Sequence, residues 1–185
     1  KYEEDLRIMR HLKKLLAVIV AICVLATFTV PAFAQDVKTD AEICEILGIL
    51  KGTTSGVDAE YLAKGTTRIQ AVILSLRLAD KEEEAYEFEG TDNFADANEV
   101  QWAEGQKALA YVKAHPELGW VGSTSGKFFP YEAATPQMIY KVLLEVLGYK
   151  QDVDFTWGET LEFAAQVGLV KVADVSKMTN NDMAI

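Results

Sequence analysis

The sequence predicts an all-α protein built from tandem helix–loop–helix repeats, of which the third is incomplete. Three threonines, Thr67, Thr135 and Thr179, each stand at the expected start of a helix. A threonine there caps the first turn and stabilises it by about 1 kcal/mol relative to alanine. An apolar helical segment that ends at a glycine precedes each start. Because the same signals return in the same order, they indicate a repeated unit.

The helices that begin at these threonines carry further start signals. Gln70 follows Thr67 at the spacing of a capping box, and Pro136 occupies the first helical position, where its missing N–H costs nothing. Apolar residues then recur at the helical period. In the second helix they are Ile139, Val142, Leu143 and Val146, and in the first they are Ala71, Leu74 and Leu78, with Ser75 interrupting.

The first helix of each predicted unit ends in a glycine-containing tripeptide. We expect these tripeptides to occupy one structural position; they are Leu47-Gly48-Ile49, Leu118-Gly119-Trp120 and Val167-Gly168-Leu169. The helices themselves have apolar stripes, formed by Ile43, Ile46, Leu47 and Leu50 in one case and by Leu161, Ala164, Ala165 and Gly168 in another. Two short helices cannot bury both stripes alone, so we expect the units to pack on one another.

Residues 1–34 are predicted to be a leader and a secretory signal peptide. Met9 is followed by basic residues, an apolar run and a small-x-small cleavage site that ends at Ala34. An uncleaved membrane anchor is one alternative, but it needs about 20 apolar residues, more than this run contains. A lipoprotein signal at Cys23 is another, although the residue before it is not small. The remaining chain divides into predicted repeats at 35–92, 93–150 and 151–185.

The charge of the chain excludes two classes of partner. Residues 1–34 contain five basic and three acidic side chains, so the rest has 13 Lys and Arg against 25 Asp and Glu. Such an acidic surface repels nucleic acid and anionic lipid, so we expect contact with a membrane only through the signal peptide during export. Cys44 is the one cysteine after residue 34, which rules out an internal disulfide, and we interpret it as a small core residue.

Four short motifs mark different elements of the predicted repeats. The first repeat contains "LGILKG" from Leu47 and "TTRIQA" from Thr66, and the second contains "FADANEVQWA" from Phe94 and "GKFFP" from Gly126. They resemble the successive elements of one repeat of the S-layer homology (SLH) domains of bacterial cell-surface proteins, and the resemblance covers essentially all of residues 36–185. The resemblance implies three helical hairpins in a pseudo-threefold bundle. It also implies noncovalent attachment of a secreted protein to the Gram-positive cell wall or surface layer, through a wall-linked acidic, commonly pyruvylated, polysaccharide.

The same resemblance implies a glycan ligand at the residue after each threonine, where the family has an arginine. Only Arg68 retains it, because Pro136 and Asn180 stand at the other two places. A guanidinium donates two parallel hydrogen bonds to a carboxylate, which neither replacement can do. The alternative for Arg68 is an ordinary solvated residue at a helix start.

Further candidates come from position alone. Lys51, Lys127 and Lys171 lie near the predicted loops and could add positive charge there. Trp120 is a candidate to stack on a sugar ring, more so than Trp102 or Trp157, although aromatic residues at helix ends also fill cores. The predicted glycan-binding set is therefore Arg68, Lys51, Trp120 and Lys127.

Catalysis and metal binding find little support in the sequence. His115 is the one histidine after residue 34, and a Cys44–His115 dyad would lack a motif and an orienting partner. The segment from Asp152 resembles a calcium loop at two positions only, since Trp157 stands where glycine is required. We expect no enzyme, no cofactor and no metal site. Two hypotheses remain: a polysaccharide-binding wall anchor, and a structural module whose degenerate repeats bind other surface-layer proteins.

Overall fold

The computed structural model describes residues 38–169, 171 and 176–185. The predicted signal peptide, its cleavage site and Cys23 lie outside these residues. The described part is mostly helical and contains isolated β-bridges but no β-strand, which confirms the all-α class. Its helices are α1 (Asp40–Ile46), α2 (Ala59–Ala63), α3 (Arg68–Leu78), α4 (Glu82–Glu87), α5 (Ala103–Ala114), α6 (Pro136–Val146) and α7 (Thr160–Gln166), with 3-10 turns at Ala97–Glu99, Pro116–Leu118 and Trp157–Glu159.

Two of the three predicted caps begin helices. The Thr67 hydroxyl accepts the N–H of Gln70, whose side chain in turn accepts the N–H of Thr67, so the capping box is present at the start of α3. Thr135 caps α6 by accepting the N–H of Met138, with Pro136 at the first helical position. Thr179 exchanges the same reciprocal hydrogen bonds with Asp182, but the residues that follow form turns rather than a helix.

The glycines of the three tripeptides share one backbone conformation. Gly48, Gly119 and Gly168 have φ angles of 72°, 87° and 86°, in the left-handed region where a residue with a Cβ is strained. Each ends a helix or helical turn, as a glycine C-terminal stop does. The sequence therefore located these turns correctly, because the left-handed conformation selects glycine strongly.

The core lies where α3, α5 and α6 meet. α3 contacts both α5 and α6, and α4 packs on α5. The central cluster is filled by buried side chains of these helices and by Trp120 and Phe128 from the loop between α5 and α6. A second, smaller cluster joins α6 to α7 and contains Tyr140, Leu144, Phe155 and Ala164. Apolar burial of this kind supplies about 25 cal/mol per Å².

The predicted apolar stripe of α1 is not buried. Ile46 and Leu47 are 65% and 66% exposed, and Ile43 is also exposed, whereas Leu50 beyond the helix is in the core. The prediction was wrong because, among the described residues, no other helix makes an extensive contact with α1. Cys44 is only half-buried and its thiol lies 3.8 Å from the Ala184 carbonyl, so it is not a core residue either.

Backbone hydrogen bonds join the three residues that precede the threonines. The N–H of Ala134 donates to the carbonyl of Thr66 at 2.9 Å, that of Thr66 to Met178 at 2.8 Å, and that of Met178 to Ala134 at 3.2 Å. These bonds form a closed circuit, here named the hydrogen-bonded ring. All three residues are buried, so their backbone groups depend on one another rather than on water.

The turns that follow two of the threonines dock on a neighbouring segment in the same way. The first N–H after the threonine donates to the carbonyl two residues before a member of the hydrogen-bonded ring, and the second donates to the carbonyl four residues before it. That member is Ala134 for the turn after Thr67 and Thr66 for the turn after Thr179. The bonds are Arg68 to Glu132, Ile69 to Pro130, Asn180 to Lys64 and Asn181 to Leu62, at 2.8 to 3.0 Å. Pro136, which follows Thr135, has no N–H, so the first of these two bonds cannot form after Thr135.

Candidate functional site

A cavity of about 390 Å³ lies beside the start of α3. This volume is within the range of about 300 to 1,000 Å³ that is usual for small-ligand pockets. Arg68 contributes one wall, the loop after Gly119 a second, α6 a third through Met138 and Lys141, and Trp157 the outer rim. The cavity therefore combines residues of all three predicted repeats.

Arg68 is buried beside the cavity and held by main-chain oxygens. Its Nε donates to the carbonyl of Phe128 at 2.8 Å and one terminal nitrogen to that of Val121 at 3.3 Å, while the other lies 3.1 Å from the sulfur of Met138. The guanidinium carbon is 4.4 Å from the centre of the Phe128 ring, a cation–π distance. The guanidinium therefore has a fixed position, and Arg68 is not a solvated side chain.

Among the described residues Arg68 has no ion-pair partner, although Glu132, which also lines the cavity, and Asp96 act on its charge from a greater distance. Burial lowers the pKa of the guanidinium, and the carboxylates of Glu132 and Asp96 act in the opposite direction. A guanidinium nevertheless stays protonated in proteins. Within the described residues no carboxylate lies within 4.0 Å of it, and two of its five N–H donors make no hydrogen bond. The group can therefore still receive an anionic ligand.

Lys141 is a second cation of the cavity. It lies on α6 and is buried, its Nζ donates to the carbonyl of Gly119, and it lies 3.0 Å from a carboxylate oxygen of Glu145. Because Glu145 offsets much of its charge, Lys141 contributes less positive potential to the cavity than Arg68. The sequence analysis missed it, although a lysine within the apolar face of a capped helix is the signal that could have found it.

Asp96 fixes the loop on which Arg68 depends. Its two carboxylate oxygens accept the N–H groups of Phe128 and Phe129, each at 2.8 Å. Phe129 has a φ of 59°, which is strained for a residue with a side chain, so these bonds help to hold an unfavourable conformation. Burial acts to raise the pKa of Asp96, but the donated N–H groups outweigh it and the pKa lies below its usual range.

The cavity contains two of the four predicted glycan-binding residues. Arg68 and Trp120 line it, although Trp120 is only 3% exposed and its indole N–H donates to Ser75 at 2.8 Å. Lys51 lies elsewhere, in an ion pair with Glu82 at 2.6 Å. Lys127 is exposed in the turn after Ser123 and does not line the cavity. Sequence position alone could not separate these lysines, because tertiary docking decides which loop faces which helix.

The other two positions after the threonines differ from Arg68. Asn180 is 2% exposed, and its side chain accepts from the Thr66 hydroxyl and donates to the Tyr61 carbonyl, each at 2.9 Å. Its amide is thus engaged within the protein. Pro136 is buried at the start of α6 and has no donor. Of the three positions, Arg68 alone presents a cation to a cavity.

The described residues contain neither a membrane-spanning helix nor a metal-binding cluster. None of the helices in residues 38–169 is long and apolar enough to cross a membrane, and the described residues contain no group of three or more His, Cys, Asp or Glu side chains placed to hold a metal ion. No family model matches the chain, and no curated protein matches it.

Proposed function

We propose that the chain is an SLH-type module that anchors an exported protein noncovalently to the bacterial cell wall by binding a wall-linked acidic polysaccharide. The observation that carries the proposal is Arg68. Its guanidinium is held against the Phe128 ring and main-chain carbonyls, yet no carboxylate pairs with it among the described residues. A fixed and unpaired guanidinium beside a cavity is a site for a carboxylate of the ligand.

The backbone connections support a pseudo-threefold arrangement of the three predicted repeats. The hydrogen-bonded ring joins equivalent residues of each repeat in a closed circuit, as three like units around an axis would require. The matched docking bonds after Thr67 and Thr179, and the common left-handed glycines, follow the same equivalence. In this arrangement Thr179 is the capping residue of the third predicted repeat, and the residues after it form turns.

The three equivalent positions predict one strong binding site. Arg68 lines the cavity, Asn180 is engaged in hydrogen bonds within the protein, and Pro136 has no donor. We therefore propose a stoichiometry of one polymer site per chain. The net charge of −10 opposes an acidic polymer at long range, so binding relies on the short-range contacts of this cavity.

The second candidate function is a structural module that binds other surface-layer proteins. The exposed stripe of α1, which comprises Ile43, Ile46 and Leu47, favours it, because exposed apolar patches often mark protein contacts. The two functions differ in the residue on which they depend. Polymer binding requires Arg68, whereas an assembly contact through α1 does not.

Cosedimentation with Gram-positive cell-wall sacculi, before and after removal of the secondary polymer, tests the proposal. We expect the full chain to sediment with intact sacculi only, and Arg68→Ala to remain in solution. Arg68→Lys, which keeps the charge but loses the planar fork, should bind weakly. Lys127→Ala removes one exposed cation outside the cavity and is the matched control for net charge.

Two outcomes would reject the anchor. A folded chain that sediments with neither preparation favours the assembly module. Equal loss in Arg68→Ala and Lys127→Ala would show that net charge rather than the cavity controls sedimentation. Circular dichroism and thermal unfolding of each variant separate a binding defect from a folding defect.

A further inference from the structure

Trp157 is the exposed aromatic residue at the rim of the cavity. It is 44% exposed and lines the cavity, whereas Trp120 is 3% exposed with its indole N–H bonded to Ser75. Trp120 can therefore offer an edge of its ring at most. Trp157 has the accessible ring surface that a stacking ligand requires.

The backbone that carries Trp157 is held from two sides. Its carbonyl accepts hydrogen bonds from the side chain of Gln137 on α6 and from the hydroxyl of Thr160. Two residues earlier, Phe155 is buried and stacks on Phe163 at 5.4 Å. A large aromatic side chain on a fixed turn is preorganised, so a ligand loses less entropy when it binds there.

Trp102 is the corresponding residue of the second predicted repeat, and it is similarly exposed but does not line the cavity. Trp102 lies over the first turn of α5, where Gly105 leaves room for the ring; a Cβ at Gly105 would lie 2.4 Å from the Trp102 ring. Three residues after Trp157 the chain has Thr160, whose side chain is fully buried. Thr160 therefore does not leave the room for a tryptophan ring that Gly105 leaves, and Trp157 lines the cavity instead.

We propose that Trp157 is a specificity-determining residue, the wall on which one sugar ring of the polymer stacks while an acidic group of the polymer lies at Arg68. A pyranose presents a patch of C–H groups on one face, and that patch buries apolar surface against an indole ring. The neighbouring apolar surfaces of Val121, Met138 and Val142 extend the same contact. This inference rests on the proposed function, and it makes the third repeat part of a site whose cation comes from the first.

The test measures binding of the full chain and its variants to intact and polymer-stripped sacculi. Trp157→Ala should bind intact sacculi about tenfold more weakly than the wild type, a loss in the range of single aromatic contacts. Trp157→Phe should retain part of the affinity. Trp102→Ala, which removes a tryptophan of similar exposure outside the cavity, should bind as the wild type does.

Tryptophan fluorescence provides a readout that a merely structural role would not change. Released polymer at saturation should shift the emission of Trp102→Phe, which retains Trp157, much more than that of Trp157→Phe, in which only the buried Trp120 lines the cavity. Unaltered binding by a folded Trp157→Ala, together with loss in Arg68→Ala, would overturn the stacking role and leave the anchor intact. Equal losses in Trp157→Ala and Trp102→Ala would also overturn it. A wild-type chain that binds neither preparation would overturn both proposals.

Discussion

The turns after Thr67 and Thr179 dock on the neighbouring segment through the same backbone bonds but carry different side chains. Arg68 donates its N–H to Glu132, and Asn180 donates its N–H to Lys64, at 2.9 and 2.8 Å. Arg68 then reaches a cavity with an unpaired charge, whereas Asn180 is engaged by Thr66 and Tyr61. The comparison teaches that backbone bonds set the docking of these turns, while one side chain decides between a binding site and a packed interface.

The largest difference in stability between the two turns should come from Phe128, whose aromatic ring packs against the guanidinium of Arg68. Phe128 is fully buried, with the guanidinium on one side and the Phe94 ring 5.0 Å away. Phe128→Ala should lower the free energy of unfolding by about 3–5 kcal/mol, as expected for a buried aromatic residue. The contact of Asn180 with Tyr61 is to the carbonyl and not to the aromatic ring, so Tyr61→Ala should lower the free energy of unfolding by less. Urea denaturation measures both, and equal costs would contradict the difference.

Removal of the Asn180 amide should destabilise the protein without affecting polymer binding. Asn180→Ala leaves the Thr66 hydroxyl and the Tyr61 carbonyl without this partner, which should cost about 1–3 kcal/mol of unfolding free energy. The exposed neighbour Asn181 provides the control, because Asn181→Ala keeps its backbone bond and should change stability by no more than about 0.5 kcal/mol. A loss of sacculus binding in a folded Asn180→Ala would show that this interface also serves the ligand.

An arginine in place of Pro136, the residue after Thr135, should make that position resemble Arg68. Pro136→Arg supplies a guanidinium, and we expect polymer binding to strengthen about tenfold, within the energy of a charge-assisted hydrogen bond. Pro136→Ala restores the N–H without the cation and should leave binding unchanged. Sedimentation at graded sacculus concentration measures both variants. Unchanged binding by a folded Pro136→Arg would mean that this position does not face a usable site.

The smallest effect should be the loss of stability at low pH that comes from Asp96, which holds the loop beside Arg68. The pKa of Asp96 is lowered in the folded protein, so its contribution to stability is present above the unfolded value of about 3.9 and is lost as the pH falls through the folded pKa. Asp96→Asn has one acceptor oxygen for two N–H groups, so it should be less stable at pH 7 and depend less on pH below 4. The exposed Glu104→Gln should behave as the wild type in melts from about pH 7 to 3. A steep acid transition retained by Asp96→Asn would assign that transition to other groups.

Local signals were the part of this structure that the sequence could predict. The caps at Thr67 and Thr135 and the left-handed glycines depend on residues within a few positions of one another, and the structure contains them. Arg68 was identified by its place after a cap, although its burial was not foreseen. Ser75, which interrupts the predicted apolar stripe of α3, accepts the Trp120 indole N–H.

Contacts between distant segments could not be predicted. The stripe of α1 has the same periodicity as a buried helix, but nothing in its own sequence says whether another helix covers it. Lys51 and Lys127 are cations near predicted loops but do not line the cavity, whereas Lys141 lines it from a helix for which only an apolar stripe was predicted. Trp102 and Trp157 have similar local sequence, and Gly105 and Thr160 separate their ring positions only in three dimensions.

The hydrogen-bonded ring also sets an order of events for the folding chain. A protein is synthesised from its N-terminus, so Thr66 and its helix exist long before Met178 does. Until Met178 arrives, the N–H of Thr66 lacks its native acceptor and the circuit stays open. Contacts between residues so far apart in sequence form late and slow the overall folding rate. The hydrogen-bonded ring therefore closes only after the segment that contains Met178 has been added to the chain and has reached Thr66 and Ala134.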